Sequence, residues 1–113
     1  MRVLYGIKNC DSVKKARSWL EARQIAYHFH DYRVDGLDAS LLQHFIDQLG
    51  MDAVLNRRST SWKQLGDAEK GNLTPDKALQ LMLTVPTLIK RPIFDTGEKL
   101  IIGFSAELYS TSI

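Results

Sequence analysis

The sequence predicts a mixed α/β fold: a β-α-β unit, a run of helices, and a closing β-β-α segment. Three observations carry this prediction. Short apolar, β-prone runs occur near the two ends of the chain, and the middle has none. An amphipathic helical pattern separates the first two runs, so their strands should be parallel, joined by a right-handed crossover. The last two runs flank a glycine-containing turn, the signature of a hairpin.

Val3-Leu4-Tyr5, closed by Gly6, reads as a buried strand. Ile7 to Ser12 is a polar turn offering two good N-cap residues, Asp11 and Ser12. Val13, Ala16 and Leu20 then recur at helical spacing among Lys14, Lys15, Arg17, Glu21 and Arg23, predicting a helix over 12–24. Ile25 to His30 alternates as a second strand should. Asp38 caps a run with Leu41, Leu42, Phe45, Ile46 and Leu49 on one face, and Gly50 is placed to stop it. Residues 56–61, Asn-Arg-Arg-Ser-Thr-Ser, break the apolar pattern and read as a loop. Thr74-Pro75 is a helix start, with Thr at the cap and Pro at the first helical position, and the helix runs to Pro86. Residues of about 38–85 are therefore expected to be a helical insertion within a single domain spanning 1–113. Ile93-Phe94 and Leu100-Ile101-Ile102 form the hairpin around Gly97, and Ser105 caps a short final helix.

Composition narrows the class. The 113 residues suit one domain, and 44% hydrophobic with 25% charged residues is ordinary globular usage. A net charge of +2 argues little for direct nucleic-acid binding, where a clustered basic face is expected. No apolar run approaches the roughly 20 residues of a membrane span, and the start of the chain lacks the apolar core of a secretory signal. The single cysteine rules out an internal disulfide. A cytoplasmic location is expected.

That cysteine, Cys10, follows a strand and enters a helix, where a thioredoxin-like fold presents a reactive thiolate. Unpaired N–H groups and the helix dipole favour negative charge there and lower a thiol pKa. Lys8, Lys14 and Lys15 add positive charge and Asp11 opposes it. The alternative is an inert cysteine buried as a small apolar side chain. Position 13 is Val, so no Cys-x-x-Cys pair can form and an outside thiol must complete any cycle. Arg58 and Arg91, with Arg57 as a substitute for Arg58, could lower the thiol pKa and hold an anion by forked hydrogen bonds. Pro92 directly precedes the first hairpin strand, where a thioredoxin-like fold holds a cis-proline facing the cysteine. His28, His30 and His44 lack metal-ligand spacing with Cys10, and no metal site is expected. Trp19 and Trp62 read as packing residues, and Asp31, Asp35, Asp38 and Asp47 as turn, cap and surface residues.

Four stretches together resemble the arsenate reductase-like (ArsC/Spx) family, in its YffB branch. They are residues 5–17 (Tyr-Gly-Ile-Lys-Asn-Cys-Asp-Ser-Val-Lys-Lys-Ala-Arg), 56–65 with Asn56-Arg57-Arg58-Ser59 and Trp62-Lys63-Gln64-Leu65, 88–93 with Arg91-Pro92, and Gly103-Phe104. The resemblance implies a thioredoxin-like core with an inserted helical subdomain. It makes Cys10 the nucleophile, and puts Asn9, Arg58, Arg91 and Pro92 in the substrate- or glutathione-binding set. Gly103 and Phe104 occupy the stretch of the third arginine found in the family's arsenate reductases. The loss of one charge-assisted contact, worth about 1.5–3 kcal/mol, implies weak arsenate reduction at most.

The expected function is that of a glutathione-dependent thiol reductase acting through Cys10. It would bind no resident cofactor, use glutathione as co-substrate, and accept a small anionic substrate or a protein thiol partner. Two other readings stand beside it: an Spx-like partner of the RNA polymerase α-subunit without a redox switch, and a weak arsenate reductase.

Overall fold

The computed structural model describes residues 2–71 and 73–112, apart from the side chain of Glu69. The chain folds as two compact units, one of residues 1–36 and 91–113 and one of residues 37–90.

In the first unit, strand β1 (Val3–Gly6) leads through a turn into helix α1 (Asp11–Ala22), followed by β2 (His28–Asp31). Strands β3 (Ile93–Asp95) and β4 (Leu100–Ile102) and helix α7 (Ala106–Ser112) complete it. The described strands form one mixed sheet in the order β2-β1-β3-β4. β1 pairs in parallel with β2, with Leu4 opposite Phe29, and antiparallel with β3, with Leu4 opposite Phe94. The predicted hairpin is present as the antiparallel pair β3 and β4, with Phe94 opposite Ile101. Leu4, Phe94 and Ile101 thus lie side by side on one face, where Val13, Ala16 and Leu20 of α1 and Tyr109 of α7 cover them. Burying each of the larger side chains contributes about 1.5–3 kcal/mol.

Gly6 lets α1 approach this closely: a Cβ at Gly6 would lie 2.7 Å from Val13 Cγ2. The helix ends two residues before the sequence suggests. Gln24 N–H bonds to Glu21 O at 3.1 Å and Ile25 N–H to Leu20 O at 3.0 Å, a Schellman turn whose left-handed position is Gln24, φ 57°. That turn brings Ile25 onto the core beside Leu20. It also delays the strand, so β2 starts at His28 and not at Ile25.

The second unit is helical: α2 (Ala39–Leu49), α3 (Met51–Val54), α4 (Thr60–Lys63), α5 (Asp67–Lys70), α6 (Pro75–Thr84) and a 3₁₀ turn at Pro86–Leu88. Asp38 caps α2 by accepting from Leu41 N–H, and Gly50 ends it with φ 89°. Thr74 caps α6 by accepting from Lys77 N–H, ahead of Pro75. The expected loop at 56–61 is partly helix, because the Ser59 side chain accepts from Trp62 N–H and starts α4. The unit runs beyond residue 85 through a short antiparallel connection: Leu55 bridges Ile89, and Asn56 N–H bonds to Leu88 O at 2.7 Å. Leu42, Phe45, Val54, Leu55, Ala78, Met82, Leu88 and Ile89 are its buried apolar residues. Among the described residues no helix is long and apolar enough to cross a membrane.

Candidate functional site

Cys10 is itself the N-cap of α1, one position earlier than the two caps read from sequence. Its backbone is extended (φ −119°, ψ 126°), and its carbonyl accepts the first helical bond from Lys14 N–H at 2.9 Å. Ile7 is buried and anchors the loop after β1, whereas Lys8 and Asn9 are exposed in the turn before the cysteine.

The Cys10 side chain is partly exposed. It makes no cap hydrogen bond of ordinary geometry, yet donors gather around it. Partial burial pushes the thiol pKa up. The N–H of Val13, the Arg91 guanidinium and the N–H of Ser12 act against burial and hold the pKa below the ordinary value. The depression comes from Arg91 and two helix-terminal N–H groups, whereas Lys8, Lys14 and Lys15 are exposed.

Arg91 reaches Cys10 from the strand side. The Arg91–Pro92 peptide is cis, as expected from its place before β3, and Pro92 is buried. Pro92 O accepts from Gly103 N–H at 2.8 Å, which ties the cis turn to the end of β4. Tyr32, 4% exposed, lies near Arg91; burial raises its phenol pKa and the arginine charge offsets part of that.

One residue that the sequence assigned to turns and surface is part of the site's support. Asp31 is 7% exposed, and its carboxylate accepts from Lys8 N–H at 3.3 Å and from Arg33 N–H at 2.8 Å. The end of β2 thereby holds the loop that carries Cys10. No local sequence signal marks it, because the contact depends on the parallel register of β1 and β2.

Arg58 belongs to the second unit, where it is exposed and its backbone N–H bonds to Asn56 Oδ1 at 3.1 Å. Arg57 pairs with Asp52 at 3.1 Å and covers the Trp62 ring at 5.6 Å. His30 Nε2 lies 2.7 Å from Gly36 O, and its ring lies 5.1 Å from that of Tyr5. Among the described residues no three His, Cys, Asp or Glu side chains are grouped to hold a metal ion.

Comparison with known proteins agrees with this fold. A family model described as the ArsC family matches residues 5–112. An uncharacterized protein of Haemophilus influenzae is 46% identical over 112 residues, covering 99% of this chain and 98% of that one. The solved structure of a YFFB protein superposes with a TM-score of 0.94 at 42% identity, covering 99% of this chain and 98% of its own. Global transcriptional regulator Spx 1 of Lactococcus lactis is 28% identical over 106 residues, covering 92% of this chain and 82% of the regulator.

Proposed function

The chain belongs to the ArsC family, and on that footing we propose that it is a glutathione-dependent thiol oxidoreductase working through Cys10. The observation that carries the reading is the arrangement around that sulfur. A helix N-terminus and the Arg91 guanidinium both favour the thiolate, and the thiolate is the nucleophilic form.

The cycle needs no second cysteine. The Cys10 thiolate attacks the glutathione sulfur of a mixed disulfide; the new S–S bond forms on Cys10 and the substrate leaves as a thiolate. A glutathione thiolate then attacks the glutathione sulfur held on Cys10, forming oxidised glutathione and restoring the Cys10 thiolate. Two electrons pass from glutathione to the substrate disulfide. Arg91 holds a substrate carboxylate or oxyanion beside the sulfur, and the Pro92 turn and Asn9 shape the rim. The part assigned to Arg58 in anion binding rests on the sequence resemblance, and Arg58→Ala tests it through the KM for glutathionylated substrate.

Turnover of a glutathione–cysteinyl peptide mixed disulfide, followed through oxidised glutathione production, tests the reading. It should proceed with the native chain and vanish in Cys10→Ser; absence of turnover with the native chain overturns it. A second reading is favoured by the likeness to a global transcriptional regulator: a binding protein for the α-subunit of RNA polymerase that does no chemistry. Retention of the purified carboxyl-terminal domain of that polymerase subunit, by the native chain and by Cys10→Ser alike, would support the alternative.

A further inference from the structure

Along α1, starting one turn after Cys10, the first unit has a groove that the chemistry above does not use. It is a shallow, open depression of about 540 Å³ lined by Lys14, Lys15, Ser18, Trp19, Phe104 and Ala106. Its walls are aromatic and braced from behind. Trp19 and Phe104 both meet the buried Tyr109 edge-on, at 5.6 Å and 4.9 Å, and Tyr109 stacks on Phe94 at 5.3 Å. Two of its lining residues are cationic: Lys14 and Lys15, both exposed. No carboxylate is among the lining residues.

The groove and the thiol share helix α1 and the core beneath it. Lys14 stands one helical turn from Cys10, bonded to its carbonyl, and Cys10, Trp19 and Phe104 pack against the same core. Phe104 follows Gly103, whose N–H bonds to Pro92 O, and Pro92 follows the arginine that faces the sulfur.

We propose that this groove docks a protein thiol partner through a segment carrying an apolar side chain next to a carboxylate. The apolar side chain lies between Trp19 and Phe104, and the carboxylate faces Lys14 and Lys15. Glutathione brings carboxylates but no apolar side chain, so it leaves the aromatic walls unused. Phe104 occupies the stretch where the sequence resemblance expects an arginine for a small oxyanion. An aromatic ring there forgoes an anion contact and selects an apolar group instead. Thiol exchange with the docked partner rests on Cys10 being the nucleophile; docking itself does not.

Binding is read from Trp19 fluorescence in a Trp62→Phe background, with peptides in which serine takes the cysteine position. The probes are acetyl-Glu-Leu-Gly-Ser-amide, its Lys-Leu and Glu-Gly counterparts, and S-methylglutathione. The Glu-Leu peptide should bind about tenfold more tightly than the Lys-Leu peptide, through the two lysines, and about tenfold more tightly than the Glu-Gly peptide, through the buried leucine. The doubly substituted Lys14→Ser/Lys15→Ser variant, altered only at exposed positions, should lose the first preference and keep the second. Equal binding of the Glu-Leu and Lys-Leu peptides overturns the proposal. So does a charge preference that survives in the lysine variant, or S-methylglutathione binding as tightly as the Glu-Leu peptide. A parallel measurement uses the cysteine form of each peptide as its thionitrobenzoate disulfide. Cys10 attack forms the Cys10–peptide disulfide and releases thionitrobenzoate. Peptide discrimination with an inert Cys10 leaves the groove standing and removes the proposed chemistry. Fast release from every peptide, without discrimination in rate or binding, does the reverse.

Discussion

The Asp31 carboxylate and the Lys8 backbone N–H meet at 3.3 Å, so the end of β2 grips the loop on which Cys10 sits. The same carboxylate takes Arg33 N–H at 2.8 Å and is itself nearly buried. Asp31→Ala should therefore remove two part-buried hydrogen bonds to a carboxylate and lower stability by about 1–3 kcal/mol, measured by urea unfolding. Asp31→Asn keeps one acceptor oxygen and should lose less. A loosened loop should also slow Cys10 alkylation in Asp31→Ala.

Cys10 should titrate below its unfolded value of about 8.5, as read from iodoacetamide alkylation rates across pH. Arg91→Ala should raise the midpoint and slow alkylation at neutral pH, because one of the groups that favours the thiolate is gone. The depressed pKa also sets the sign of a stability effect. The stability that the folded thiol contributes is fully present above the unfolded value and is lost as pH falls through the folded value. Native chain and Cys10→Ser, compared by thermal unfolding, should diverge as pH rises. A flat difference across that range contradicts the arrangement.

Gly6→Ala should cost about 1–3 kcal/mol, because the added methyl meets a β-branched Val13 whose rotamer is fixed in the helix. Combining it with Val13→Ala should recover part of the loss. Urea midpoints of the single and double variants measure both effects.

Gln24→Gly should stabilise the chain by about 0.5–1 kcal/mol. Gln24 holds a left-handed conformation at the end of α1 that costs a non-glycine residue about 1–2 kcal/mol, and part of the gain is offset by the greater freedom of glycine when unfolded. Calorimetric unfolding of the variant gives the sign directly.

The elements that depend on local chemistry were legible in the sequence. Asp38, Thr74 and Ser105 announce helix starts, and each side-chain oxygen accepts the N–H expected of it. The hairpin declared itself through Gly97, which adopts φ 95°. Residues whose state depends on a neighbour were read less well. Ile25 looks like a strand residue, but the Schellman turn spends it on the core next to Leu20. Ser59 looks like part of a loop, yet a single side-chain bond makes it a cap. Within the site, Cys10 and the Arg91–Pro92 turn were legible because position in a β-α unit and before a hairpin is a sequence property. Asp31 was not: its role depends on the Lys8 N–H, 23 positions earlier, which only the parallel register of β1 and β2 brings within reach.

The pairing of β1 with β3 also bears on how the chain is made. Leu4 finds its antiparallel partner, Phe94, ninety residues later. At a synthesis rate of roughly 5–20 residues per second, about 5–18 s separate the two on the ribosome. Throughout that interval Leu4, Val13, Ala16 and Leu20 have no Phe94, Ile101 or Tyr109 to cover them. The nascent N-terminal segment is a sticky, half-built surface, and β1 an open edge available for mispairing. Chaperone dependence and loss to aggregation should therefore track the pace of translation through the second unit, even though the finished sheet belongs entirely to the first.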